Sequence, residues 1–382
     1  MFLREKIKEA VRMKTSKKVV ALFLSLAMLL TLAACGGKDD KKTGEGLKIA
    51  ICTSPNTVDD GSFNEDNYNG ILAFIASRGN IDTVTPVQET SGANDAAVQS
   101  VADVVAQYDV LVCPGFQFGG IGAIAKDNPD KLFILVDAFP SDETGAEVEL
   151  DNVYAMQFAE QESGFFAGIA AALETKTGKV AVVNGVAFPS NVNYQFGFES
   201  GVHYANKNLG ASATIVELAS YAGTDVTGAN VGGNYTGDFG DLTAGKTIGQ
   251  ALINEGCDII FVAAGDSGNG VFNAAKEASG VKVIGCDVDQ YAGNESIILT
   301  SVLKNMAINV ERQLNAIANG TFKGGNFTLQ ADTDSTGYVS TEGHHQLSAD
   351  TLKALADVYP LVKDGTIVPA ANFNGIAPES FQ

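Results

Sequence analysis

The sequence predicts an α/β protein of two Rossmann-like lobes, each a doubly wound parallel sheet, joined by a hinge. Short apolar runs such as "LKIAIC", "DVLVCPG" and "KLFILVDA" alternate with helical stretches of ten to sixteen residues from Leu47 onward, the pattern of strands buried on both faces. The alternation then starts afresh near residue 159, which implies a second unit of the same kind. The residues just after each run are polar, aromatic and glycine-rich, as a ligand crevice at the carboxyl ends of parallel strands requires.

The chain ahead of that pattern has another character. Arg4 to Lys18 carries seven basic and two acidic residues, and an uncharged apolar run, Val19 to Ala34, ends in "LTLAAC". A basic region, an apolar region and small residues before a cut describe a secretory signal; the run falls short of the roughly 20 residues a membrane span needs. Met13 offers a second start within it. Leu32-Ala33-Ala34-Cys35 resembles a bacterial lipobox, so residues 1–34 are expected to be removed and Cys35 lipidated. The polar, glycine-rich residues 35–46 are expected to be a flexible tether on the extracytoplasmic face of the cell membrane.

Without residues 1–34 the chain keeps 18 Lys and Arg against 43 Asp and Glu, a net of −25. That charge disfavours nucleic acid and anionic lipid as partners. The length suits about two domains. Cys52, Cys113, Cys257 and Cys286 sit in or at the end of apolar runs with no C-x-x-C spacing. They read as buried free thiols, not as a metal or redox site, although spacing alone leaves pairing open.

Each element follows in order. After "LKIAIC", Ser62 and Glu65 stand at capping-box spacing, which starts a helix over 63–78 with Gly79 beyond its end. Then come strand "IDTVTPV", helix "DAAVQSVADVVAQ", strand "DVLVCPG", short helix "IGAIAKDN", and strands "KLFILVDA" and "NVYAMQF". The second unit reads helix "EQESGFFAGIAAALE", strand "KVAVVNG", helix "NVNYQFGFESGVHYANKN" and strand "ATIVELA". It continues with helix "DLTAGKTIGQALINEG", strand "DIIFVAAG", helix "NGVFNAAKEAS", strands "VKVIGCD" and "SIILTS", and helix "VLKNMAINVERQLNAIANG". Residues 223–240 lack periodicity and read as a long surface loop. A crossing between lobes is expected around Thr300. This places 47–158 with 302–345 in the first lobe, and 159–301 with 346–382 in the second.

The candidate ligand residues lie after strands. Phe63, Phe116 and Tyr194 offer aromatic faces. Asn64 offers a donor and an acceptor to a heterocycle edge. Asp137 and Asp287 can accept from hydroxyls or ring N–H groups, or cap the next helix. "GDSGNG" at 265–270 lacks the G-K-[ST] ending of a phosphate loop, and no G-x-G-x-x-G follows the first strand. Neither a G-x-S-x-G elbow nor H-E-x-x-H is present, so no enzyme activity and no cofactor are expected.

Taken together, the lipobox, "DDGSFN", "GFFAGIAAAL", "GFESGV", "VAAGDSGNGVF", "VIGCDVDQ" and "LTSVLKN" resemble the basic membrane protein family of purine nucleoside receptor-like lipoproteins. These are substrate-binding components of ABC transporters with the type I periplasmic-binding fold. The resemblance implies a monomer with two lobes closing on a nucleoside, delivered to a membrane permease. It places the two stacking rings on Phe63 and Tyr194, with Asn64 and Asp137 on the base and Gly265, Asp287 and Lys304 on the sugar. Tyr194 stands where many relatives have Phe, and the 223–240 segment looks long; both bear on which ligand is taken. A sugar or autoinducer receptor of the same fold is the alternative, followed by a nucleoside-processing enzyme.

Overall fold

The computed structural model describes residues 46–372 and 374–381. The expected signal peptide, Cys35 and the tether up to residue 45 lie outside the described residues.

Two six-stranded sheets organise the chain. The first is built from β1 (Lys48–Thr53), α1 (Phe63–Ser77), β2 (Thr83–Gln88), α2 (Asn94–Val104), β3 (Val110–Pro114), α3 (Gly122–Asp127), β4 (Leu132–Val136) and β5 (Val153–Phe158). The chain then crosses into the second through α4 (Glu160–Glu174), β6 (Lys179–Asn184), α5 (Pro189–Asn208), β7 (Thr214–Ile215) and a small hairpin of β8 (Gly223–Thr224) and β9 (Asn230–Gly232). There follow α6 (Leu242–Asn254), β10 (Ile259–Ala263), α7 (Gly265–Glu277), β11 (Lys282–Gly285) and β12 (Ile298–Lys304). It returns for α8 (Met306–Ala318) and β13 (Gly325–Leu329), then crosses again to β14 (Thr336–Tyr338) and α9 (Ala349–Lys363).

The strand orders are β13-β5-β4-β3-β1-β2 and β14-β12-β11-β10-β6-β7. The first sheet is parallel throughout; the second is parallel apart from its edge strand β14. Ile49, Ile51, Val110, Val112, Ile134 and Val136 face one core of the first lobe, and Ala50, Cys52, Leu111, Cys113, Phe133 and Leu135 face the other. The runs are apolar at every position because both faces are covered. The four described cysteines are buried and free.

Two expectations need correction. The crossing lies at Asn305, not near Thr300, because β12 continues in the second sheet to Lys304 and pairs there with β14. Segments 302–304 and 336–338, expected in the first lobe, therefore belong to the second sheet. The strand ends on a buried lysine, Lys304, which carboxylates neutralise in place. Residues 223–240 are likewise not simply a surface loop. Asn234 is buried, donating to Val182 O and Val216 O and accepting from Leu218 N, while the Tyr235 hydroxyl donates to Gln195 Oε1 at 2.6 Å. The side chain of Asn234 thus supplies the hydrogen bonds that a longer β7 would have made.

Candidate functional site

Strand order reverses between β1 and β3 in the first sheet and between β6 and β10 in the second, and ligands bind beyond the carboxyl ends at such switch points. The loops leaving these strands meet in one cleft, the place where small-molecule sites form in such sheets. All seven ligand residues expected from the sequence line it: Phe63, Asn64, Asp137, Tyr194, Gly265, Asp287 and Lys304.

At the start of α1 the sequence pattern is misleading. Ser62 occupies the N-cap position but makes no side-chain capping bond. Asp60 accepts instead from the amides of Ser62, Asn64 and Glu65, at 3.0, 3.0 and 3.1 Å. Glu65 accepts from Gly61 N. A carboxylate satisfies three orphan amides where a hydroxyl could satisfy one. The Ser62 hydroxyl is released to donate to Asp287 Oδ2 at 3.3 Å in the other lobe.

Asp137 directly follows β4 and Asp287 lies just beyond β11, the fourth strands of their respective sheets, and both adopt left-handed backbone, φ +65° and +68°. Lys304, expected on a helix, is the last residue of β12 and is 2% exposed. Its ammonium pairs with Asp137 Oδ2 at 2.5 Å and Glu160 Oε1 at 3.1 Å, and lies 5.1 Å from the centre of the Phe63 ring. Burial disfavours the Lys304 ammonium, but Asp137 and Glu160 outweigh it and hold the group charged. Burial pushes the Asp137 carboxyl up to about 7 against the pull of Lys304. Asp137 Oδ1 is buried without a hydrogen-bond partner. An unpaired buried carboxylate oxygen is costly, and here it belongs to a residue of the cleft wall.

Tyr194, expected to stack on the ligand, lines the cleft with little of its surface exposed. It is 3% exposed, its ring packs edge-on against Phe261 at 5.7 Å, and its hydroxyl donates to Asp287 Oδ1 at 2.8 Å. Tyr194 is a support for Asp287. The second-lobe rings that line the cleft beside it are Phe188, Phe239 and Phe272. Phe116 of the first lobe meets Phe188 at 5.2 Å, and Phe188 meets Phe239 at 6.0 Å. Phe239 was missed because it sits in the aperiodic segment. A Cβ on Gly185 would lie 2.2 Å from its ring, and the Phe239 carbonyl accepts from Ser267 N at 2.9 Å. The glycine is the legible trace of the ring it seats.

The glycines of "GDSGNG" also have a structural explanation. Gly265 has φ +54°, and a Cβ on Gly270 would lie 2.1 Å from Leu242 O. They open a helix and bring it against α6, without forming a phosphate cradle. Among the described residues no His, Cys, Asp and Glu cluster could hold a metal ion.

Against known proteins, residues 48–218 and 219–363 match the family model described as ABC transporter substrate-binding protein PnrA-like. The CD4+ T-cell-stimulating antigen of Listeria innocua is 29% identical over 381 residues, covering 93% of this chain and 98% of its own. The ABC transporter nucleoside-binding protein BmpA of Lactococcus lactis is 29% identical over 333 residues, covering 81% and 87%. Among solved structures, an ABC transporter solute-binding protein from Aeropyrum pernix superposes with a TM-score of 0.71 at 23% identity, over 87% of this chain and 94% of that one; this likeness speaks for the fold. Two parallel-sheet lobes around a cleft and a family match along most of the chain agree: the chain belongs to the Bmp family of PnrA-like ABC transporter substrate-binding proteins.

Proposed function

We propose that this substrate-binding protein is anchored outside the cell membrane by a lipid on Cys35, and that as a monomer it captures a purine nucleoside for import through an ABC permease. The observation that carries the ligand class is Asp137 Oδ1, a buried acceptor without a partner, in a cleft walled by flat rings. Such an acceptor suits a ring N–H, and the rings suit the base, each stacking contact contributing about 0.5–1.5 kcal/mol beyond area burial.

In this reading Phe63 stacks from the first lobe and Phe239 from the second. Asn64 and Asp137 take the base edge, and Gly265, Asp287 and Lys304 face the ribose. Tyr194 acts through Asp287, fixing its carboxylate. The reaction is binding without turnover: the ligand stabilises the closed arrangement by touching both lobes. The nucleoside-binding name of the Lactococcus lactis relative supports the same class.

Calorimetry and thermal shift against adenosine, guanosine, inosine, uridine, ribose and galactose test it. Purine nucleosides should bind and raise the melting temperature, while the free sugars should not. Binding of ribose or galactose alone would replace this reading with a sugar receptor. Release of hypoxanthine from inosine would make the protein an enzyme. Labelled lipid should be incorporated in cells and lost in Cys35→Ser.

A further inference from the structure

The two lobes touch at the rim of the cleft as well as at its floor, and the rim contacts radiate from one loop. Residues 54–62, between β1 and α1, send three polar groups into the second lobe. Asn56 Nδ2 donates to Phe239 O at 3.2 Å. Gly61 O accepts from Gln290 Nε2 at 3.4 Å, and the Ser62 hydroxyl meets Asp287. Asn56 stands apart from the other two. Its backbone carbonyl accepts from Asn64 Nδ2 at 3.5 Å, so it links the side chain assigned to the base edge with the main chain that carries the second-lobe ring. On the far side of this contact a Cβ on Gly240 would stand 3.1 Å from Asn56 Oδ1. The outer opening formed by Pro55, Asn56, Gln88 and Thr90 on one side and Asp238 with Gly240 to Thr243 on the other lies just beyond.

We infer that Asn56 is a clasp: a positioning residue that holds the lobes shut over a bound nucleoside and sets how long it stays, without itself reading the base. A bond that links the two lobes must break before they part, so it lies on the path of release. Its loss is therefore felt in dissociation, with association nearly unchanged. The acceptor is a backbone carbonyl, so the clasp is indifferent to side-chain identity on the opposite lobe. Its position at the Phe239 carbonyl couples the closed state to the placement of that ring. The inference takes its probe from the nucleoside reading of the cleft, whereas its geometry stands apart from that reading.

The test uses the full chain with inosine as probe. Asn56→Ala and Asn56→Asp should each raise the dissociation rate about threefold to tenfold, the effect of removing one hydrogen bond. The association rate and the ligand-free melting temperature should stay near those of the wild type. A covalent replacement separates a clasp from a ligand contact. Asn56→Cys with Gly240→Cys lacks the amide altogether, yet when loaded with inosine and oxidised it should retain inosine through gel filtration and release it on reduction. Unchanged dissociation in Asn56→Ala, or free escape of inosine from the cross-linked protein, would overturn the clasp. If the wild type binds no inosine, the nucleoside reading fails alone; ready cross-linking of the two thiols would then uphold the clasp, and failure to cross-link would overturn it.

Discussion

Two aspartates carry unusual backbone for the sake of their side chains. Asp137 and Asp287 both lie at left-handed φ, a region that costs most side chains about 1–2 kcal/mol and that Asp and Asn tolerate best. Strain of this kind collects at functional sites. At 287 the backbone and carboxylate contributions can be separated. Asp287→Asn should leave the ligand-free melting temperature near the wild-type value and weaken nucleoside binding about tenfold through loss of a charge-assisted bond. Asp287→Ala should weaken binding similarly and also lower stability by about 1 kcal/mol, because alanine fits left-handed backbone poorly. Equal melting temperatures for the two variants, measured by calorimetry, would remove the backbone argument. A second residue-scale effect lies away from the cleft. Burial pushes the Glu199 carboxyl up to about 8, opposed by the hydrogen bond from Gln195 and reinforced by Glu217 and Glu379. The folded protein thus holds a proton that the unfolded chain gives up near the ordinary glutamate pKa, so this contribution is present in acid and lost as pH rises through about 8. The melting temperature should fall as pH rises from the ordinary glutamate range to about 8 in the wild type and fall less in Glu199→Gln, a difference that a pH series of thermal scans would read directly.

Helices are brought to the cleft by glycines that let backbones touch. α4 carries Gly164 and Gly168, and α5 carries Gly197 and Gly201. A Cβ at these positions would lie 2.4, 2.1, 2.2 and 2.2 Å from carbonyl oxygens of the facing helix, in turn Tyr194, Phe198, Gln161 and Phe165. The two four-residue spacings interlock, and the crossing sets Glu160 and Tyr194 beside Lys304 and Asp287. Gly201→Ala should cost about 1–3 kcal/mol as an overpacked core and weaken ligand binding by displacing Tyr194, although residue 201 itself is not among the cleft-lining residues. Denaturation and calorimetry on one preparation would check both; intact stability with alanine there would refute the close crossing. The motifs "GFFAGIAAAL" and "GFESGV" were visible in the sequence, but their physical meaning was not, because periodicity reports which face is buried and not how near the partner comes. The alternation of strand and helix was legible because every strand is covered on both faces. Phe239 was not, since it lies in a segment held by Asn234 and Tyr235 side chains, which leave no repeat. Lys304 was placed on a helix and not at the end of a buried strand, because its neutralising partners, Asp137 and Glu160, are far away in sequence.

At the scale of the whole molecule, charge restricts what the cleft can hold. The expected mature chain carries a net charge of −25, and Asp60, Asp137 and Asp287 line the cleft. The single cation among the lining residues is Lys304, already engaged by Asp137 and Glu160. A phosphate brought in with a nucleotide would meet three carboxylates and no unengaged cation in this lining, and like charges about 4 Å apart in partly screened surroundings repel by a few kcal/mol. The receptor should therefore take nucleosides and reject the corresponding monophosphates by at least about a hundredfold, an outcome set by the field of both lobes and not by any one contact. Competition between inosine and inosine 5′-monophosphate in a calorimetric titration measures it. Repulsion over the longer distances should also relax as salt is added, so the preference ought to narrow between low and high ionic strength. Comparable affinity for the two ligands at low salt would mean that the carboxylates are neutralised on closure, and the electrostatic account of selectivity would have to be abandoned.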